Sequence, residues 1–203
     1  MRARLYLVLT PQVCRADPVA TAAAAIDGGV DMVQLRDKEA SDDEFVGLAK
    51  GLAKVCRPRG VPLILNDRVH LVRAAGADGV HVGEDDTPPE RIEKGMILGL
   101  STHDRAEVAA AKRRGATYIG LGPMFPTETK ELGRAPRGAA LLREVVGVTD
   151  LPLFPIGGIT AANAAELVAA GATRLAVSAA ICAAEDPRAA AAGLRAILGP
   201  PVG

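Results

Sequence analysis

Three observations predict an α/β fold, a single-domain (β/α)8 TIM barrel over residues 1–203. Eight short apolar runs alternate with stretches of helical period. Dividing 203 residues by eight leaves about 25 per unit, near the minimum for a strand, a helix and two loops. Four runs share a lead-in, GGVDMVQL, GADGVHVG, GATYIGLG and GATRLAVS, where glycine ends a helix and a polar residue precedes the strand. The main alternative, an open doubly wound sheet, usually carries fewer strands at this length, and no GxGxxG follows the first run.

The strand runs are residues 5–10, 31–36, 62–66, 79–83, 96–101, 118–123, 151–158 and 174–180. They are almost continuously apolar, which suits parallel strands covered on both faces. Helices are expected over 20–26, 41–55, 106–114, 163–170 and 188–198, where strong helix formers carry apolar residues at three-to-four spacing. Ser41 followed three residues later by Glu44 reads as a capping box. Pro88-Pro89 and Pro187 read as helix starts, and Thr160 as a cap for the helix through Asn163.

Composition excludes several functions. Lys+Arg and Asp+Glu are both 24, and no basic segment stands out to hold a nucleic acid. Hydrophobic residues make up 49% of the chain, too many for intrinsic disorder. No apolar run reaches the ~18 residues of a membrane span, and residues 5–9 are too short for the core of a signal peptide. Cys14, Cys56 and Cys182 are odd in number, dispersed and without CxxC spacing, which points to packing roles in a reducing, cytoplasmic compartment. His70, His81 and His103 do not cluster with them as zinc ligands would.

In such a barrel the chemistry sits where the strands end. Gln34, Arg36 and Lys38 alternate after the second run and can face one way as a clamp for phosphate or diphosphate, though the same pattern suits ordinary surface charge. Asn66 and Asp67 end the third run; Glu84, Asp85 and Asp86 follow the fourth. Asp67 and Asp86, at adjacent strand ends, can converge on Mg2+, or each can cap a helix. Ser101 and His103 follow the fifth run, and Thr127, Thr129 and Lys130 lie on the long sixth loop. Gly157 and Gly158, then Ser178, close the ring where this fold commonly binds phosphate; a tight turn would also use the glycine pair. His81, between Val80 and Val82, faces either the interior or the helices, and His70 falls on a helix.

The segments QLRDK, LNDRV, GVHVGEDD, GLSTH, GPMFPTETK, GGIT and AVSAAI, in this order and spacing, resemble the thiamine phosphate synthase family. Seven strand ends agree over about 150 residues, which makes the resemblance specific. It implies a transferase that joins hydroxymethylpyrimidine diphosphate to thiazole phosphate, releasing pyrophosphate by a dissociative substitution. By this resemblance Gln34, Arg36, Lys38, Asn66, Ser101 and Lys130 bind the pyrimidine diphosphate, and Arg36, Lys38, Lys130 and Ser101 serve catalysis. Asp67 and Asp86 hold Mg2+. Thr127 and Thr129 touch the thiazole phosphate, whose phosphate rests on Gly157, Gly158, Val177 and Ser178.

The implied partners are these small molecules alone, with no nucleic acid and no membrane; whether the chain forms a homo-oligomer stays open. The chain departs from the family pattern at Glu84, where glutamine is usual, and at Glu131-Leu132-Gly133, where aspartate is common. A sister branch resembling a thiazole tautomerase carries histidine where this chain has Pro123, and would not need the full QLRDK and TETK segments. A catalytically silent phosphate-binding barrel would be expected to lose Asp67, Asp86 or Lys130, all of which are present. An amino-acid-biosynthesis isomerase would need an acid/base pair where this chain has Thr10 and Ser101.

Overall fold

In the computed structural model, which describes residues 1–83, 92–93, 95–127 and 135–200, the parity of the first strand sorts the core. Leu5, Leu7 and Leu9 of β1 (Leu5–Leu9) pack outward against helices, while Tyr6 and Val8 point into the barrel. The later strands repeat this: β2 (Met32–Leu35), β3 (Leu63–Asn66), β4 (Gly79–Val82), β5 (Ile97–Thr102), β6 (Tyr118–Leu121), β7 (Leu153–Pro155) and β8 (Leu175–Val177). All pairings are parallel, in the order β7-β6-β5-β4-β3-β2-β1-β8, and the ring closes through a parallel bridge between Ile156 and Ala176. The expected (β/α)8 barrel is the fold observed.

The repeated lead-ins have a physical purpose at the lower rim. Their glycines Gly29, Gly76, Gly115 and Gly171 all take positive φ, which stops the preceding helix. Three of the polar residues after these glycines accept N–H groups at the start of the neighbouring strand. Asp31 accepts from Arg4 N and Leu5 N at 2.7 and 2.8 Å, Asp78 from Leu63 N at 2.8 Å, and Thr117 from Leu98 N at 2.9 Å. Each of these three lead-ins thereby staples one odd-numbered strand to the even-numbered strand after it.

Helices cover the outside. α1 (Pro18–Asp27) begins on Asp17, whose carboxylate accepts from Ala20 N. α2 (Asp42–Cys56) starts at the expected capping box of Ser41 and Glu44, worth about 1 kcal/mol, and buries Phe45, Ala49, Leu52 and Cys56 along one stripe. Burial pushes the Cys56 thiol up to about 12, as suits a packing residue. α3 (Val72–Ala75), α4 (Arg105–Ala111), α5 (Gly138–Val145), α6 (Ala164–Ala169), α7 (Ala179–Cys182) and α8 (Pro187–Leu198) come next along the chain. α8 starts at Pro187 with an Asp186 cap, as its proline signals. It is tied to the barrel by buried Arg4, which donates to Leu198 O and Gly199 O at 2.7 and 2.6 Å.

Some expectations change. α5 is absent from the helix readings; over only eight residues its Ala139, Leu141, Leu142 and Val145 form a buried stripe. The runs at 118–123 and 151–158 are too long: their ends leave the sheet as loops, with a cis peptide at Gly122-Pro123. Thr160 is not a side-chain cap. Asn163 instead accepts from Thr160 N at 2.8 Å and donates to Gly158 O at 2.9 Å, so its amide folds the GGIT turn. His70 lies in a 3-10 turn, exposed and paired with Asp42 at 2.8 Å. The Pro88-Pro89 start lies outside the described residues. Among the described residues, no helix is long and apolar enough to cross a membrane.

Candidate active site

The strand C-termini enclose a cavity of about 1050 Å3, including its open mouth. Its wall contains Gln34, Arg36, Asn66, Ser101, Thr127, Gly157, Gly158, Val177 and Ser178 from the expected set. Eight strands place β3 opposite β7 in the ring, so Asn66 stands across the mouth from Gly157 and Gly158, while Arg36 at the end of β2 is two strands from Ser178 after β8. The ends of β2, β3, β7 and β8 thus line one hollow.

Gln34, Arg36 and Lys38 do not share one environment. Gln34 is buried on β2, Arg36 is half-buried at its end, and Lys38 lies beyond the strand with a largely exposed side chain. The loop carrying Lys38 is folded by Asp37, which accepts from Gln12 Nε2 at 2.7 Å and from Glu39 N and Ala40 N at 3.1 Å. Burial alone would raise the Asp37 pKa, but these hydrogen bonds outweigh it and hold the carboxyl below its usual range. Lys38 Nζ reaches to 3.9 Å from Asp67 Oδ2.

Asp67 has φ 62°, a left-handed conformation that a non-glycine residue adopts at some cost. Its N–H donates to His81 O, which pins the strained residue at the junction of β3 and β4. The 3-10 turn after it, Val69–Leu71, starts on Arg68, with Val69 N donating to Asp67 O at 2.9 Å. A hard carboxylate at the strand-end rim, 3.9 Å from a lysine, has the donor chemistry that fits Mg2+, which commonly takes one or two carboxylates plus phosphate oxygens. Asp86, Thr129 and Lys130 lie outside the described residues, as do Glu84, Asp85 and Glu131. Among the described residues, no three His, Cys, Asp or Glu side chains gather as a metal cluster.

The glycine pair has a packing reason besides any ligand. Gly157 and Gly158 have φ 99° and 63°, and a Cβ on Gly158 would strike Pro126 O and Phe125. The sixth loop comes this close because Phe125 N donates to Gly157 O and Met124 N to Ile156 O, both at 2.9 Å. Beside them α7 opens on the cavity with Ala179 and Ala180, whose N–H groups have no carbonyl one turn earlier in the helix. Ser178 Oγ lies 3.4 Å from Thr10 Oγ1.

Three wall residues were not assigned from the sequence. His81 faces the interior, with Nδ1 3.1 Å from the Tyr118 hydroxyl and Nε2 3.1 Å from Ser101 Oγ. Tyr6 lies under the cavity and receives a hydrogen bond from Gln34 Nε2. His103 gives its Nδ1–H to Gly122 O at 2.6 Å. The period-two placement of Tyr6 and His81 was visible in the sequence; which parity faced inward was not.

An eight-stranded parallel barrel whose strand C-termini enclose one cavity defines a class: barrels with a small-molecule site at the strand ends. Within it, residues 5–181 match the family described as thiamine monophosphate synthase, and the chain belongs to that family, a family of transferases. The chain is 43% identical over 195 residues to the thiamine-phosphate synthase of Bacillus velezensis, covering 92% of this chain and 87% of the relative. It is 44% identical over 199 residues to that of Chloroflexus aurantiacus, covering 96% and 92%. Its fold superposes on a thiamine phosphate pyrophosphorylase from Pyrococcus furiosus with TM-score 0.86 and 33% identity, covering 97% and 95%.

Proposed function

We propose that the chain makes thiamine phosphate by transferring the hydroxymethylpyrimidine group from its diphosphate to the nitrogen of thiazole phosphate, with Mg2+ required. The observation that carries this reading is one cavity that gathers Arg36 and Asn66 from the ends of β2 and β3 with Gly157, Gly158 and Ser178 from the ends of β7 and β8. A bisubstrate reaction between two phosphorylated molecules needs both. Relatives bearing the name thiamine-phosphate synthase, alike over most of their length, support it.

In the reaction the bond between the pyrimidine methylene and the diphosphate oxygen breaks, and its electron pair leaves with the diphosphate. Arg36, Lys38 and Lys130 offset that developing charge, while Asn66 and Ser101 donate hydrogen bonds to it. Asp67 and Asp86 would hold Mg2+, which when bound supplies further charge neutralisation on the diphosphate. Gln34 orients the pyrimidine. The thiazole nitrogen then forms the new C–N bond, held in place by its phosphate on Gly157, Gly158, Val177 and Ser178, with Thr127 and Thr129 alongside. Pro123, on the cavity wall, has no proton to transfer, which favours this reading over proton shuffling on a thiazole. Incubation with both substrates and Mg2+ should release pyrophosphate and thiamine phosphate in equal amounts; failure to form thiamine phosphate would overturn the reading.

A further inference from the structure

Five side chains form one hydrogen-bonded line through the barrel. Gln34 Nε2 donates to the Tyr6 hydroxyl, Tyr6 and Tyr118 hydroxyls lie 2.8 Å apart, and Tyr118 reaches His81 Nδ1 at 3.1 Å. His81 Nε2 then meets Ser101 Oγ at 3.1 Å. Gln34, Tyr6, Tyr118 and His81 are all buried. Space for the line is built into the strands: a Cβ on Gly99 would collide with both the His81 ring and the Tyr118 hydroxyl end.

With the Gln34 amide nitrogen toward Tyr6, the line has one direction that satisfies every proton. Tyr6 oxygen accepts from the Gln34 amide, so the Tyr6 proton goes to Tyr118. The Tyr118 proton then goes to His81 Nδ1, which must be bare. A neutral imidazole with bare Nδ1 carries its proton on Nε2 and donates it to Ser101 Oγ. The opposite direction strands the Tyr6 proton in a buried position. Burial holds both phenols neutral, which keeps the line intact.

We infer that His81 is a positioning residue. As the neutral Nε2–H tautomer set by Tyr118, it occupies the acceptor side of Ser101, so that Ser101 is left to donate its own proton into the cavity. A serine whose proton is not taken up by His81 has that proton available for an anionic oxygen in the cavity. This rests on the reading of Ser101 as a donor to the departing diphosphate.

Nitrogen-15 NMR of histidine-labelled full-length chain tests the tautomer without substrate, with His81 assigned by its loss in His81→Gln. The expected result is a protonated Nε2 and bare Nδ1 at neutral pH, with that preference lost in Tyr118→Phe. A protonated Nδ1 on wild-type His81 would overturn the proposal. Kinetics give a second readout. His81→Gln, whose amide nitrogen can replace Nε2, should keep kcat within about threefold, while His81→Asn should lose about tenfold or more in kcat. The KM for thiazole phosphate should stay unchanged in both. Equal losses in the two variants would also overturn it. A wild-type chain that makes no thiamine phosphate would remove the functional reading, while the tautomer measurement would still decide the hydrogen-bond direction.

Discussion

The hydroxyls of Tyr6 and Tyr118 lie 2.8 Å apart inside the barrel, and neither ring reaches solvent. With Phe154 they form an edge-to-face cluster, ring centroids 5.4–5.7 Å apart, that plugs the barrel below the cavity. Burial pushes both phenol pKa values above the ordinary value of about 10. The unfolded chain releases these protons first as pH rises. Their contribution to stability is therefore complete below pH ~10 and is lost progressively above it. The chain has two tyrosines and no tryptophan, so its phenolate absorbance reports on these residues alone. In an alkaline titration phenolate should appear only together with loss of far-UV circular dichroism. Phenolate at the ordinary value with native dichroism would refute the buried pair.

Metal dependence is a second expectation. Asp67 combines a left-handed backbone with a carboxylate 3.9 Å from Lys38 at the end of β3. Asn tolerates that backbone and lacks the charge. Asp67→Asn should lower kcat by about 100-fold or more with little change in Tm. Excess EDTA should abolish turnover, and Mg2+ should restore it. Full turnover in EDTA would remove the metal from the reaction.

Ser178 tests where the thiazole phosphate is expected to rest. Its hydroxyl sits beside Thr10 at the end of β8. Ser178→Asp should raise the KM for thiazole phosphate by about tenfold or more through repulsion. The KM for the pyrimidine diphosphate should move far less. Equal shifts for both substrates would place the phosphate elsewhere.

Lys130 is expected to meet the leaving diphosphate, so Lys130→Ala should lower kcat by about 100-fold through loss of charge neutralisation. An unchanged kcat would exclude it from the reaction.

Arg4 offers a stability test apart from the chemistry. Its guanidinium joins the last turn of α8 to the lower rim through Leu198 O, Gly199 O and Thr173 O. Arg4→Met keeps most of the stem but leaves these carbonyls unpaired, at a cost of about 2–4 kcal/mol. Tm should fall by roughly 5–10 °C while kcat/KM of the folded enzyme stays at the wild-type value. An unchanged Tm would show that α8 holds without it.

Much of the architecture was legible because the repeat is physical. A glycine that stops a helix and a polar residue that takes a neighbour's strand N–H recur as GGVD, GAD and GAT, and each marks the start of a parallel strand. Strand ends in a closed barrel share one rim. Arg36, Asn66, Ser101, Gly157 and Ser178, each at or near the end of an apolar run, were therefore legible as members of one site. α5 escaped because its eight residues are a weak local signal, and burial of Leu141, Leu142 and Val145 in the core stabilises the helix.

The sequence by itself determined eight parallel units, their register of punctuation and the polar set at one rim. Only the tertiary structure decided which alternate residues fill the barrel. Both faces of these strands are apolar, so periodicity names two faces without ranking them. Closure at Ile156 and Ala176 turned Tyr6, Gln34, His81, Ser101 and Tyr118 inward. Side chains separated by up to 112 positions became one hydrogen-bonded line, because buried polar atoms must find partners wherever the fold brings them.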